Sequence, residues 1–184
     1  MSAKIISAFP CCGKSRLQDS CNDLKVLYNK TSTFRWAVRH YTEDELDEMR
    51  KLWNNSPHML STEAYIEKIK NQKFTLKALD FPNNYLQNIK NNLELYDYIL
   101  VDSHEWITKL LEHNHLDYIL VYPERKCKFE WIGRMYSEET PNTLIKIIND
   151  NWDILLDKLD KLSETHKSIK LDYGQYLSDV IYKL

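Results

Sequence analysis

The chain reads as an α/β fold, a mainly parallel five-stranded sheet with helices on both faces, and three observations lead there. Strand-length apolar runs at 4–9, 24–28, 96–101, 118–122 and 168–171 alternate with segments of helical spacing. Neither repeats, low-complexity tracts nor Gly/Ser-rich linkers divide the 184 residues, so a single domain over 1–184 is expected. A composition of 43% hydrophobic and 28% charged residues is that of an ordinary globular protein and excludes the disordered class.

Lys4-Ile5-Ile6-Ser7-Ala8-Phe9 predicts a short buried strand, then a loop and a helix from about Lys14 to Asn22. Leu24 to Tyr28 predicts a second strand. Thr42 and Glu45 form a capping-box pattern ahead of Leu46, Met49 and Trp53, so a helix starts there. Ser61 can cap another that carries Tyr65, Ile66 and Ile69. These helices interrupt the alternation and predict a helical insertion over 42–75. The Asp80-Phe81-Pro82-Asn83-Asn84 turn opens a helix with Tyr85, Ile89 and Leu93 on one face. Buried strands at 96–101 and 118–122 bracket a helix over 103–113. Residues 123–141 read as a basic, lid-like segment, and Leu144 to Leu159 as one long amphipathic helix. A strand at about 168–171 and a short helix close the sheet.

A net charge of -2 offers no global attraction to nucleic acid or an anionic membrane, so phosphate recognition must be local. No signal-peptide core follows Met1-Ser2-Ala3-Lys4 and no apolar run approaches a membrane span, which leads to the expectation of a cytoplasmic protein. Abundant Asn, Lys, Ile and Tyr suggest an AT-rich coding sequence, such as that of a phage or virus, for which the host cytoplasm is the compartment. Cys11, Cys12, Cys21 and Cys127 have no zinc-site spacing and read as free thiols.

The chemistry-bearing segment is Ala8-Phe9-Pro10-Cys11-Cys12-Gly13-Lys14-Ser15. It keeps the last three positions of the phosphate-cradling pattern G-x-x-x-x-G-K-[ST], between a strand and a helix, with alanine at the first. In such a loop the backbone of Pro10 through Ser15 wraps the anion with the N–H groups that follow the proline, Lys14 neutralises β/γ oxygens, and the Ser15 hydroxyl binds Mg²⁺. The competing reading is a plain strand–helix turn. Asp102, just beyond an apolar strand, is placed to hold Mg²⁺ through water or to cap the following helix.

Together with Asp80-Phe81-Pro82-Asn83-Asn84-Tyr85, Val101-Asp102-Ser103-His104 and Leu120-Val121-Tyr122-Pro123, this loop resembles a family of small phage and bacterial P-loop proteins. These are described as ATP-binding or nucleoside/nucleotide-kinase-like, and the resemblance runs almost end to end, through Asn151-Trp152 to Gly174-Gln175-Tyr176-Leu177. It implies a P-loop three-layer sandwich with ATP and Mg²⁺ as cofactors. The chain departs from the family at Cys11, where glycine is expected, and around Tyr28 and Lys30, where an acidic pair is expected. It departs again after the lid arginine, where an Arg-Gly step is expected and Glu138-Glu139 or a nearby gap stands. These departures bear on turnover more than on nucleotide binding.

Other residues carry paired readings. Asp80 is an acid/base or substrate-positioning carboxylate, or a helix cap. Arg125, Lys126, Lys128 and Arg134 are a lid that clamps phosphate, Arg134 on the transferred group, or a solvated helix face. Arg35 and Arg39, flanking Trp36, can bind an acceptor phosphate or stack on a base. His104 reads as a polar contact at the substrate end, and His113 and His115 as solvated. Two functions follow. One is an ATP-dependent phosphotransferase that acts on a small acceptor under the 42–75 insertion. The other is a catalytically degenerate nucleotide- or partner-binding module. A nucleic-acid end kinase is disfavoured by the acidic balance.

Overall fold

The computed structural model describes residues 2–20, 23–54, 61–70 and 72–184; Cys21, Asn22 and the Trp53 side chain lie outside what is described. Two compact units form, Met1–Thr31 with Asn83–Leu184, and Ser32–Pro82. The sequence predicts an insertion over 42–75; the second unit runs wider, from Ser32 to Pro82.

The first unit is α/β, with a five-stranded, all-parallel sheet flanked by helices. Its strands are β1 (Lys4–Ala8), β2 (Val26–Tyr28), β5 (Tyr98–Asp102), β6 (Tyr118–Pro123) and β7 (Ser168–Leu171), in the order β2-β5-β1-β6-β7. β1 is central because its residues suit two covered faces: Ile5 through Ala8 are all buried. β5 and β6 on either side are apolar for the same reason. The helices of this unit are α1 (Lys14–Ser20), α5 (Asn83–Asn92), α6 (Glu105–His113), α7 (Lys128–Ser137), α8 (Asn142–Asp150), α9 (Trp152–Ser163) and α10 (Leu177–Val180). A short α2 (Thr31–Arg35) leads out of it.

The long helix predicted over 144–159 is two helices, broken at Asn151 (φ -112°, ψ 17°). The Asn151 side chain itself donates to the Ile147 carbonyl at 2.8 Å, the local competition that makes asparagine a poor mid-helix residue. The break turns Trp152 inward, where it is 1% exposed, donates to the Arg125 carbonyl and meets the Phe9 ring edge-on. The basic segment 123–141 is likewise helical, a 3-10 turn over Arg125–Cys127 running into α7.

The second unit holds an antiparallel pair, β3 (Trp36–Arg39) with β4 (Phe74–Lys77), and two helices, α3 (Glu43–Asn54) and α4 (Thr62–Lys70). Leu46, Ile66 and Ile69 form its core, with Tyr41, Met49 and Tyr65 against them. Both predicted caps are present. The Thr42 and Glu45 backbone and side chains exchange bonds of 2.9 and 3.3 Å, and the Ala64 amide donates to Ser61 Oγ.

Candidate phosphate-binding site

The site grows from the tip of β1. Ladder register aligns Ala8 with Asp102 of β5 on one side and with Val121 of β6 on the other. From β1 the chain proceeds to the β2 side of the sheet, and from β6 to the β7 side. The gap between the β1 and β6 tips is therefore the point where winding reverses, the usual ligand crevice of an open parallel sheet. The Phe9 amide still donates to the Val121 carbonyl at 2.9 Å, and the loop begins after it.

Donors behind the loop fix how its peptides face. The Trp131 indole Nε1 donates to the Pro10 carbonyl at 2.8 Å. The Leu177 amide donates to the Cys12 carbonyl, and the Leu17 amide to the Gly13 carbonyl, each at 2.9 Å. In a planar trans peptide the C=O and the following N–H point in opposite directions. The amides of Cys11, Gly13 and Lys14 therefore face away from these donors, and among the described residues they and the Ser15 amide have no hydrogen-bond partner. Left-handed backbone at Cys11 (φ 59°) and Gly13 (φ 88°) produces this run of free amides, as in anion-binding backbone nests. Gly13 is required twice over, because an added β-carbon would also come within 3.2 Å of Tyr176 Cδ1.

Lys14 is 6% exposed, and its ammonium lies on the loop's own carbonyls, 2.9 Å from Ala8 O and 3.1 Å from Phe9 O. It also stands 3.4 Å from Asp102 Oδ1. Asp102 accepts from the Tyr28 hydroxyl at 2.8 Å on Oδ1, and from the Thr31 hydroxyl at 2.7 Å on Oδ2. Burial alone would push this carboxyl up; Lys14, Thr31, Tyr28 and His104 together hold it below its ordinary value. The cap of α6 is His104 rather than Asp102, so the helix-cap reading of Asp102 falls away. Burial, aided by Glu138, pushes the Cys11 thiol up to about 12, and burial pushes Cys12 to about 12 as well, so both are neutral thiols at pH 7.

No family model, no curated protein and no solved structure matches the chain.

Of the residues predicted for the site, Pro10, Cys11, Cys12, Gly13, Lys14, Ser15 and Asp102 are together at the β1 and β5 tips. Arg134 packs with the residues that back the loop, held between the Trp131 and Tyr176 rings (4.1 and 3.9 Å) and bonded to Glu130 and the Gln175 carbonyl. The other cations of the lid-like segment are engaged differently. Arg125 binds Asp153, Asp157 and Asp160; Lys126 binds Asp172 and Glu124; half-buried Lys128 has no partner among the described residues. His104, His113 and His115 are exposed. Arg35, Arg39 and Asp80 belong to the second unit, where Arg35 lies over the Trp36 ring and Arg39 forks onto Glu45 at 2.7 and 2.6 Å.

The donor set can be tested against Mg²⁺, which takes one or two protein oxygens, several waters and substrate phosphates. Among the described residues no cluster of three or more His, Cys, Asp and Glu could hold a metal ion by itself. Ser15 is exposed, and among the described residues its hydroxyl has no hydrogen-bond partner. Both Asp102 oxygens already carry protein bonds, so this carboxylate suits a contact through water. Sequence reasoning missed Thr31 and Trp131 as parts of the site. Thr31 sits three residues past the β2 tip, and that position was its one available signal. An apolar hollow of about 530 Å³ between α6 and α9, lined by Phe9, Thr108, Leu155, Leu159 and Leu162, is separate from the loop amides.

Proposed function

We propose that the chain is an ATP-binding P-loop phosphotransferase of the nucleoside/nucleotide-kinase type. It holds the triphosphate on the 8–15 loop and passes the γ-phosphoryl group to a small acceptor. The observation that carries this reading is the run of amides at Cys11, Gly13, Lys14 and Ser15 that have no partner among the described residues, beside a buried ammonium. The strand order supports it by setting the loop and the Asp102 carboxylate on neighbouring tips. Such a site acts by placing fixed dipoles and charge around the phosphates, where water would otherwise have to reorganise. Lys14 exchanges the Ala8 and Phe9 carbonyls for phosphate oxygens. Ser15, and Asp102 through water, would hold Mg²⁺, which would neutralise charge at the phosphates. Transfer breaks the bond from the γ-phosphorus to the bridging oxygen and forms one to the acceptor oxygen, whose proton is released. The parts of Arg35, Arg39 and Asp80 in acceptor binding rest on the sequence pattern alone.

A second reading, a binding module without turnover, is favoured by one specific set of contacts. Asp102 is bonded on both oxygens and the Arg134 guanidinium is enclosed between two rings. A phosphoryl-transfer screen over nucleosides and nucleotides separates the two. Product from one acceptor, lost in Lys14→Ala, supports the kinase; transfer that survives Lys14→Ala rejects the assignment. ATP binding without any product supports the module.

A further inference from the structure

The structure assigns Trp131, Arg134 and Tyr176 a positioning role: they form a clamp behind the 10–13 segment that keeps its carbonyls outward and its amides available to an oxyanion. This rests on the phosphate-binding reading and deepens it, because it moves Arg134 from the phosphates to the far side of the loop.

The loop is short of glycine, so its backbone has little intrinsic preference for a nest. Cys11 is held left-handed, a conformation unfavourable for a residue with a β-carbon. Something outside must hold it there. Two donors do so, one from α7 and one from the start of α10. Trp131 Nε1 donates to the Pro10 carbonyl, just before Cys11, and the Leu177 amide donates to the Cys12 carbonyl, one residue beyond it. Trp131 is fully buried, so its donor has no water to turn to. The two donors come from distant parts of the chain, and Arg134 joins them. Its guanidinium is stacked between the Trp131 and Tyr176 rings, it donates to Glu130 and to the Gln175 carbonyl, and it is 7% exposed. Glu130 in turn accepts from the Gly174 amide. Tyr176 closes the arrangement by occupying the side of Gly13 where a β-carbon would stand. With each of its three nitrogens bonded to a protein acceptor and the guanidinium held between two rings, Arg134 is a bolt and not a phosphate ligand.

The test uses the full chain and inorganic triphosphate as probe. Trp131→Phe keeps an aromatic ring but deletes the indole donor. Leu177→Pro deletes the amide donor at the first helical position, where proline is tolerated, and Leu177→Ala controls for the lost side chain. The clamp predicts that Trp131→Phe binds triphosphate about tenfold more weakly than wild type. It predicts that Leu177→Pro binds more weakly than Leu177→Ala by a similar factor. Without ligand, it predicts that Trp131→Phe shifts the backbone amide resonances of Cys11, Gly13 and Lys14. Arg134→Lys, which keeps charge but cannot stack as a plane, should reproduce those shifts. Unchanged loop amides in Trp131→Phe would overturn the clamp whatever the affinities. If wild type binds no triphosphate while the loop amides do shift, the clamp stands and the phosphate reading fails. Should a variant unfold, the Leu177→Pro and Leu177→Ala pair decides, equal affinities counting against the clamp.

Discussion

A φ of 59° at Cys11 sets a β-carbon against the following carbonyl, a strain that glycine lacks. Cys11→Gly should therefore raise unfolding free energy by about 0.5–1 kcal/mol in urea titrations, a gain limited by the extra chain entropy of glycine. A loss of stability would mean the side chain matters more than the backbone. Asp102 titrates in the opposite direction from the buried thiols. Its folded value lies below its unfolded value of about 3.9, so its contribution to stability is complete above that pH. That contribution disappears as pH falls through the lowered folded value. Asp102→Asn should thus cost on the order of 2 kcal/mol at pH 7. The gap from wild type should close in acid unfolding below about pH 4, and a gap that stayed constant there would show that the carboxylate is not held by Lys14.

At the scale of elements, the α3 start is the clearest case of local sequence dictating structure. Glu45 accepts from Arg39 and from the Thr42 amide, and these bonds push its carboxyl down to about 2. Thr42→Ala should cost about 1 kcal/mol of stability, measured by thermal or urea unfolding; no change would assign the helix start to Arg39 and Glu45 alone. This cap, the Ser61 cap and the buried β5 and β6 strands were legible because each is decided by neighbours within a few residues. The β3–β4 pair was not, because Trp36–Arg39 and Phe74–Lys77 find each other across two helices. Nor was the Asn151 break, which a count of apolar spacing passes over because Leu144 to Leu159 keeps its rhythm on both sides. In the site, the loop and Asp102 could be read from their strand tips. Arg134 was named there too, but its packing was not legible, since its partners Tyr176 and Gln175 are some forty residues away.

Over the whole molecule, a net charge of -2 leaves the loop as a small cationic feature in an acidic chain. Arg125 and Lys126 do not add to it, being matched by Asp153, Asp157, Asp160 and Asp172. Among the described residues no helix is long and apolar enough to cross a membrane. If the loop binds a triphosphate as proposed, recognition rests on a few backbone dipoles and the Lys14 ammonium, which makes Lys14 decisive. Calorimetric titration of the full chain with ATP, with and without Mg²⁺, against the Lys14→Ala variant is the most direct measurement. Saturable one-site binding that weakens at least about tenfold in Lys14→Ala, with the fold intact by circular dichroism, is the predicted result. Equal heats from both proteins, or none from wild type, would contradict an oxyanion site on this loop.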